Sequence, residues 1–181
     1  EAGLRTHDLK SPWPEEFYRQ NISSMASIHL SQTSTSKKNL FAENIKRNIH
    51  IVGNPGIDYF FEKISLIKED YNFTKKHKEI IITMHRRESI NSNLQKFIDN
   101  LIIFSNKKKN YNFIWPVHSN ENVQKIINVN KKRFNNKNIS FLKSLKYEEF
   151  LKHLINADFV ITDSGGIQEE AAFIGKPLLF Q

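Results

Sequence analysis

An α/β fold built on a parallel sheet is predicted for this chain of 181 residues by three observations. From residue 79 onward, short β-branched or aromatic runs alternate with segments whose apolar residues recur every three or four positions. The connections between these segments are short, which favours right-handed crossovers that cover both faces of the sheet. Hydrophobic residues make up 39% of the chain and charged residues 25%, as in a soluble globular protein with a buried core.

The strands and helices of this part follow one another in a regular order. Strands are predicted over residues 79–84, 112–117, 139–142 and 159–162, with a last one over 177–180. Helices are predicted around residues 94–102, 123–127, 147–155 and 167–173. Because ligands of such sheets bind beyond the carboxyl ends of the strands, we expect the functional residues there.

The first part of the chain has a different pattern. Residues 1–21 contain few periodic apolar positions and read as a loop that leads into a helix. They are followed by a predicted strand over 27–32, a helix over 34–42 and a strand over 49–52. Gly53-Asn54-Pro55-Gly56 is a strong turn signal, so we predict a domain boundary there, with domains 1–55 and 56–181.

Charge and composition argue against several classes of function. The net charge of +8 comes largely from lysine-rich clusters at 75–76, 107–109 and 131–133, between the periodic segments. Without a basic helix face, nucleic-acid binding is not expected. The sequence has no cysteine, no secretory signal and no apolar run near the roughly 18 residues that a membrane span needs. We therefore expect a cytoplasmic protein with no metal centre and no membrane segment.

Asp163-Ser164-Gly165-Gly166 connects a predicted strand to a predicted helix. The two glycines let backbone N–H groups approach an anion closely, and the helix N-terminus adds a partial positive charge. This pattern indicates a phosphate or pyrophosphate site, and Glu170, about one turn further on, is placed to accept hydrogen bonds from ribose hydroxyls. The alternative is an ordinary tight turn in which Asp163 or Ser164 is the helix N-cap.

Two further groups of polar residues follow predicted strands. His85-Arg86-Arg87-Glu88 combines cationic and acid–base side chains, which suits phosphate binding or proton transfer. A surface charge cluster is the alternative. His118 ends the next strand, at a place where a single histidine is more often structural than functional.

Residues 11–16 (SPWPEE) combine two prolines that stiffen the backbone, a tryptophan and two carboxylates at the start of a predicted helix. Acidic residues in a first turn also interact favourably with the helix dipole, which is the structural alternative. Glu1, Arg5 and Asp8 precede this segment among few apolar residues. A polar, stiffened loop of this kind is typical of the wall of an active site.

Taken together, these motifs resemble the bacterial non-hydrolysing UDP-N-acetylglucosamine 2-epimerases. The resemblance runs from end to end of the chain through EAGLRT (1–6), SPWPEE (11–16), HRRES (85–89), PVH (116–118) and DSGGIQEEA (163–171). EAGLRT with SPWPEE is specific to the non-hydrolysing type. The chain departs from the family pattern at His7, where glycine is usual, and at Pro55-Gly56, where Thr-Val is usual.

The resemblance implies a glycosyltransferase-B-like pair of Rossmann-like domains with parallel sheets. Residues 1–55 would be the end of the first domain, and 56–181 most of the second, UDP-binding domain. The family's phosphate loop and an early catalytic aspartate would precede Glu1, and closing segments would follow Gln181. We therefore expect this chain by itself to be inactive and prone to aggregation, and the intact protein to be a homodimer.

The reaction implied by the resemblance interconverts UDP-N-acetylglucosamine and UDP-N-acetylmannosamine by inversion at carbon 2 of the sugar, through elimination and re-addition of UDP. The expected catalytic residues are Glu1, Glu15 and His85. The expected substrate-binding residues are Arg5, Arg86, Ser164, Gly165, Gly166 and Glu170. Glu15, Arg86 and His118 also resemble positions that contact a second, activating UDP-N-acetylglucosamine in some members. Neither a metal nor a nicotinamide cofactor is implied.

Two other functions share part of this pattern. A UDP-sugar-dependent glycosyltransferase of the same fold would have the same phosphate turn and Glu170, but it has no reason to carry EAGLRT and SPWPEE. A non-catalytic fragment that binds a UDP-sugar is the alternative outside enzymes. An assay with UDP-N-acetylglucosamine and no acceptor separates the two enzymes, because only an epimerase yields the manno isomer.

Overall fold

A computed structural model describes residues 1–70, 77–84, 92–134 and 138–180. The chain divides into two compact units, Glu1–Asp58 and Tyr59–Gln181. This division lies close to the predicted boundary at residue 55, and it falls inside a helix. The assignment of the units to the two halves of a longer architecture stays a prediction. The predictions for residues 85–91, which include His85 and Arg86, lie outside the described residues.

The first unit contains helices α1 (Glu15–Met25) and α2 (Ser34–Ala42) and strands β1 (His29–Ser31) and β2 (Ile49–Ile51). The two strands pair in parallel. Helix α2 begins as predicted because the side chain of Thr33 accepts a hydrogen bond from the backbone N–H of Ser36. Leu40 anchors the helix in the interior and is fully buried.

The described strands of the second unit form one parallel sheet, as the alternating pattern predicts. The strands are β3 (Lys78–Thr83), β4 (Tyr111–Pro116), β5 (Ile139–Leu142), β6 (Phe159–Thr162) and β7 (Leu178–Phe180). They lie in the order β5-β4-β3-β6-β7, and every pair is parallel. Side chains of β3 alternate between the two faces, so Ile80 and Ile82 join one apolar core while Ile81 joins the other.

Among the described residues, five helices cover both faces of this sheet: α3 (Pro55–Asp70), which begins in the first unit, α4 (Ser92–Lys107), α5 (Glu121–Asn130), α6 (Tyr147–Asn156) and α7 (Gly165–Phe173). A short 3₁₀ helix, Lys131–Arg133, follows α5. Helices α4 and α5 pack on one face around Phe113 and Trp115. Helices α3, α6 and α7 pack on the other face. This is the layered arrangement expected of strands joined by right-handed crossovers.

Helix α3 is absent from the sequence prediction, and helices α4, α5 and α7 begin two residues before their predicted positions. Residues 53–56 were predicted as a turn, whereas Pro55 is the first residue of α3, a position where its missing N–H costs no hydrogen bond. The helix then buries Phe60, Ile64 and Ile67. Helix α7 begins at Gly165, two residues before the predicted start, because its N-cap is Ser164.

Candidate functional site

The candidate site of the second unit lies at the carboxyl ends of its strands. From β3 the sheet continues to β4 and β5 on one side, and to β6 and β7 on the other. A crevice opens where the direction changes, between β3 and β6. Thr83 and Thr162 end these two strands, and the buried Thr83 hydroxyl donates to Thr162 Oγ1 over 2.7 Å. Thr162 Oγ1 also accepts from the Ser164 N–H at 2.9 Å, which ties the turn after β6 to the end of β3.

A cavity of about 390 Å³ occupies this edge of the sheet, a volume suited to a small-molecule ligand. It is lined by the ends of β3 and β4 and by residues of the 144–170 region: Thr83, Met84, Pro116, Val117, His118, Ser144, Leu145, Tyr147, Phe150, Ser164, Gly166, Ile167 and Glu170. The cavity therefore brings together four residues that the sequence singles out, namely His118, Ser164, Gly166 and Glu170. Gly165 starts α7 but does not line the cavity.

The start of α7 has the geometry of an anion site. Ser164 Oγ accepts from the Ile167 N–H at 3.5 Å, so Ser164 is the N-cap of α7, which fits both the anion site and the ordinary turn. A cap satisfies one donor, and the other N–H groups of a first turn have no partner within the helix. A Cβ added at Gly166 would meet no heavy atom nearer than Ser164 Oγ, at 4.0 Å. Packing of the described residues therefore does not require glycine there, whereas close approach of a ligand would.

Glu170 supplies the carboxylate of the cavity, and Tyr147 holds it. The Tyr147 hydroxyl donates to Glu170 Oε1 over 2.8 Å. The other oxygen, Oε2, is buried and has no hydrogen-bond partner among the described residues. Burial raises the pKa of Glu170, the Tyr147 hydrogen bond lowers it, and the charge of Glu169 raises it, with a net increase. Burial and the same hydrogen bond raise the pKa of Tyr147. Glu170 lines the cavity, so this unpaired acceptor is a candidate partner for a hydroxyl donor of a ligand.

His118 lines the cavity at the carboxyl end of β4 and also has a local structural contact. Its Nδ1 accepts from the backbone N–H of Asn120 at 3.1 Å, and Asn120 is the N-cap of α5. The predicted contact of His118 with an activating ligand stays a prediction.

In the first unit, Arg19 of α1 forms ion pairs with the carboxylates of Glu1 and Glu16. Arg19 Nε donates to Glu1 Oε2 over 2.9 Å, and Arg19 Nη1 lies 3.5 Å from Glu16 Oε2. Glu16 is fully buried and also accepts from Gln20 Nε2 at 3.0 Å and from the His7 N–H at 3.4 Å. The Arg19 hydrogen bond lowers the pKa of Glu1 against the opposing effect of burial. Glu1 is therefore held as a carboxylate.

The other predicted residues of the first unit lie in two different environments. Glu15 is the first residue of α1 and is exposed. The Arg5 side chain is fully buried, and its guanidinium donates to both carboxylate oxygens of Glu43, at 2.6 and 2.8 Å, and to Ser23 Oγ at 2.9 Å. These contacts hold the EAGLRT segment against α1 and the end of α2. Substrate binding by Arg5 stays a prediction.

Backbone conformation explains two features of the same segment. Gly3 has φ +79°, and a Cβ added there would lie 2.0 Å from the carbonyl oxygen of Ser36, so the glycine of EAGLRT is required by packing against α2. His7 has φ +62°, in the left-handed region that glycine adopts most easily. The glycine usual at this position in the family is therefore the residue that the backbone favours.

No group of three or more His, Asp or Glu side chains within residues 1–70, 77–84, 92–134 and 138–180 is arranged to hold a metal ion. None of the helices in the described part of the chain is long and apolar enough to span a membrane.

Comparisons with known proteins identify the family. The family model described as UDP-N-acetylglucosamine 2-epimerase matches residues 1–180. A UDP-N-acetylglucosamine 2-epimerase of Campylobacter jejuni is 40% identical over 194 residues, which cover 99% of this chain and 50% of the relative. The enzyme of that name from Escherichia coli K12 is 37% identical over 191 residues, with the same coverage of 99% and 50%. The chain thus spans about half the length of the curated relatives it matches.

Solved structures agree with this assignment. The UDP-GlcNAc 2-epimerase of Neisseria meningitidis bound to UDP-GlcNAc matches with a TM-score of 0.90 and 32% identity, over 99% of this chain and 51% of that one. The Methanocaldococcus jannaschii enzyme in complex with UDP-GlcNAc and UDP matches with a TM-score of 0.79 and 29% identity, over 98% and 51%. This likeness confirms the predicted glycosyltransferase-B-like class of α/β fold. The cavity at the switch point of the parallel sheet and the DSGG helix start agree with these matches. The chain belongs to the UDP-N-acetylglucosamine 2-epimerase family.

Proposed function

We propose that the full-length protein is a non-hydrolysing epimerase that interconverts UDP-N-acetylglucosamine and UDP-N-acetylmannosamine. The observation that carries the proposal is the cavity at the carboxyl ends of the strands, because it combines a helix start open to an anion with the Glu170 carboxylate in a chain of this family. The bound ligands of the Neisseria meningitidis and Methanocaldococcus jannaschii enzymes support the choice of substrate.

In this proposal the cavity holds the nucleotide. The first N–H groups of α7, around Gly166, donate to the diphosphate, and the helix dipole favours its negative charge. Glu170 Oε2 accepts from a ribose hydroxyl and so gains the partner that it lacks among the described residues. Firm binding of the diphosphate matters for the chemistry, because UDP must stay in place after it leaves the sugar and before it returns.

The reaction follows from the weak acidity of the proton at carbon 2, which has no carbonyl beside it. Elimination removes this proton and breaks the bond from carbon 1 to the UDP oxygen, which leaves 2-acetamidoglucal and UDP. Re-addition of UDP at carbon 1, with a proton delivered to the opposite face of carbon 2, gives the other isomer. Negative charge grows on the leaving diphosphate, so the α7 donors stabilise the transition state.

We assign the proton transfers to Glu1 and Glu15, with His85 and Arg86 at the phosphates and the reacting sugar. Glu1 is held ionised by Arg19, which suits a base, and Glu15 is exposed at the start of α1. The second, activating ligand proposed for Glu15, Arg86 and His118 and the homodimer are further predictions of the resemblance, and the cytoplasmic location is a prediction from the composition.

Replacement of Glu15 by Gln in the full-length protein tests this function. The amide keeps the shape of the side chain but removes the base, so epimerisation should fall by about two to four powers of ten while UDP affinity stays near that of the wild type. The readout is deuterium incorporation at carbon 2 in heavy water, followed by NMR in UDP-N-acetylglucosamine and UDP-N-acetylmannosamine. Wild-type protein should label both isomers.

Glu121→Gln is the matched control, because Glu121 is also an exposed glutamate at the first position of a helix, α5. It should leave the rate of labelling unchanged. If Glu15→Gln exchanges deuterium as fast as this control, Glu15 only opens α1. If the wild-type protein forms no manno isomer and no labelled substrate, the proposed function is wrong.

A further inference from the structure

The pairing of Glu170 with Tyr147 is a feature of the cavity that the sequence motifs do not contain. The two residues are 23 positions apart and lie on different helices, α7 and α6. The 2.8 Å hydrogen bond occupies Oε1 and leaves Oε2 as the oxygen that remains for a ligand. A carboxylate that could rotate freely would present either oxygen, in a range of directions.

We propose that Tyr147 is a positioning residue for nucleotide binding: its hydroxyl fixes the Glu170 carboxylate so that Oε2 alone accepts a hydroxyl of the ligand. This inference rests on the proposed function, since it concerns the same nucleotide. A side chain fixed in advance does not lose its rotational freedom on binding, which is the general source of affinity from preorganisation.

The surroundings of Tyr147 hold its ring in one place. Its ring stacks on that of Tyr59 from α3, with the ring centres 6.1 Å apart and the planes 14° from parallel. Lys63, one turn further along α3, lies over the ring of Tyr59 with its Nζ 5.3 Å from the ring centre. The same Nζ lies 3.8 Å from the carboxylate of Glu148, the residue after Tyr147. Helices α3 and α6 therefore fix Tyr147, and Tyr147 in turn fixes Glu170.

The hydrogen bond also affects the charge of Glu170. The described charged or titratable groups near this pair include Glu169 on α7, Glu148 on α6, and Tyr59 and Lys63 on α3. His118 lines the same cavity. Burial and Glu169 raise the pKa of Glu170, and Tyr147 opposes them. Without the Tyr147 hydroxyl the pKa would rise further. The carboxylate would then become protonated at a higher pH, and the neutral group would accept a ligand hydroxyl more weakly there.

A double-mutant cycle on UDP binding tests the proposal. The affinity of the full-length protein for UDP is measured by calorimetry for the wild type, Tyr147→Phe, Glu170→Ala and the double variant, over a pH series from mildly acidic to mildly alkaline. Tyr147→Phe should weaken binding about tenfold near neutral pH, and Glu170→Ala by about ten- to a hundredfold. In the Glu170→Ala background, Tyr147→Phe should change the affinity by no more than about twofold, because its effect acts through the carboxylate.

The pH series separates positioning from general packing. Affinity should fall with decreasing pH in both proteins that retain Glu170, and the fall should begin at a higher pH in Tyr147→Phe than in the wild type. Tyr111→Phe is the matched control, because Tyr111 is the first residue of β4, at the opposite end of the strand from the cavity. It should bind UDP as the wild type does.

Two results would overturn the positioning role alone. The first is a loss of UDP affinity in the double variant that equals the product of the losses in the two single variants. The second is a pH profile of UDP affinity for Tyr147→Phe that runs parallel to that of the wild type. Both require that the wild-type protein binds UDP. If it binds no UDP, the proposed function itself fails, and the role of Tyr147 fails with it.

Discussion

The start of α7 offers a sharp test of the phosphate assignment, because Gly166→Ala should improve the fold and impair the site. A Cβ at Gly166 meets only Ser164 Oγ, at 4.0 Å, and the residue has no left-handed φ to lose. Alanine is favoured over glycine in a helix by about 0.5–1 kcal/mol, so stability should rise slightly. If a phosphate sits against this backbone, the same methyl group overpacks the complex by about 1–3 kcal/mol, which weakens UDP binding about 5- to 150-fold.

The assay combines urea denaturation with calorimetric titration of UDP. Gly56→Ala is the matched control, because Gly56 is the second residue of α3 as Gly166 is of α7. Its Cβ would lie 3.1 Å from the side-chain oxygen of Asn54, and it does not line the cavity. Its UDP affinity should stay unchanged. A Gly166→Ala protein that binds UDP as tightly as this control would show that no ligand group approaches the start of α7.

Three predictions concern the first unit. In urea denaturation, Gly3→Ala should lower the free energy of unfolding by about 1–2 kcal/mol because of its left-handed φ, and by about 1–3 kcal/mol more because the methyl group overpacks against Ser36. Gly53→Ala is the control: Gly53 has φ +75° but nothing within 4 Å of an added Cβ, so only the loss from its φ should appear. Arg5→Lys should lower the free energy of unfolding by about 1.5–3 kcal/mol in the same assay, because lysine cannot form the two-point ion pair that the buried guanidinium makes with Glu43. An unchanged denaturation midpoint would leave substrate binding as the main role of Arg5. Arg19→Gln should move the acidic limb of the pH–rate profile of epimerisation to higher pH, because the hydrogen bond from Arg19 keeps the pKa of Glu1 low. If the limb does not move, Glu1 is not the base that titrates there.

The sheet of the second unit could be predicted because each of its strands has a local signal. Buried strands such as β3 and β6 are runs of β-branched residues, and their order with the helices determines a parallel arrangement. Helix α3 was missed because its first two residues, Pro55 and Gly56, are also the residues of a turn. Proline fits the first helical position as well as it fits a turn, and only the burial of Phe60 and Ile64 decides between them.

The candidate site was predictable where its residues are contiguous. Ser164, Gly166 and Glu170 lie within one motif that joins a strand to a helix, so the topology alone brings them to the edge of the sheet. Tyr147 could not be predicted, because its contact with Glu170 depends on how α6 packs against α7 and has no sequence periodicity of its own. His85 and Arg86 lie outside the described residues, and their roles stay predictions.

The adjacent carboxylates of SPWPEE show how a helix assigns different tasks to identical residues. Successive residues of an α-helix point about 100° apart, so two neighbours can lie in different surroundings. Glu16 is buried, and its oxygens are used by Arg19, Gln20 and the His7 N–H. Through Arg19 it also supports Glu1. Glu15 points to the exposed side, where its carboxylate is not consumed by the fold. The chemistry proposed for this pair is therefore assigned to Glu15, whereas the contacts of Glu16 connect α1 to the segment before it.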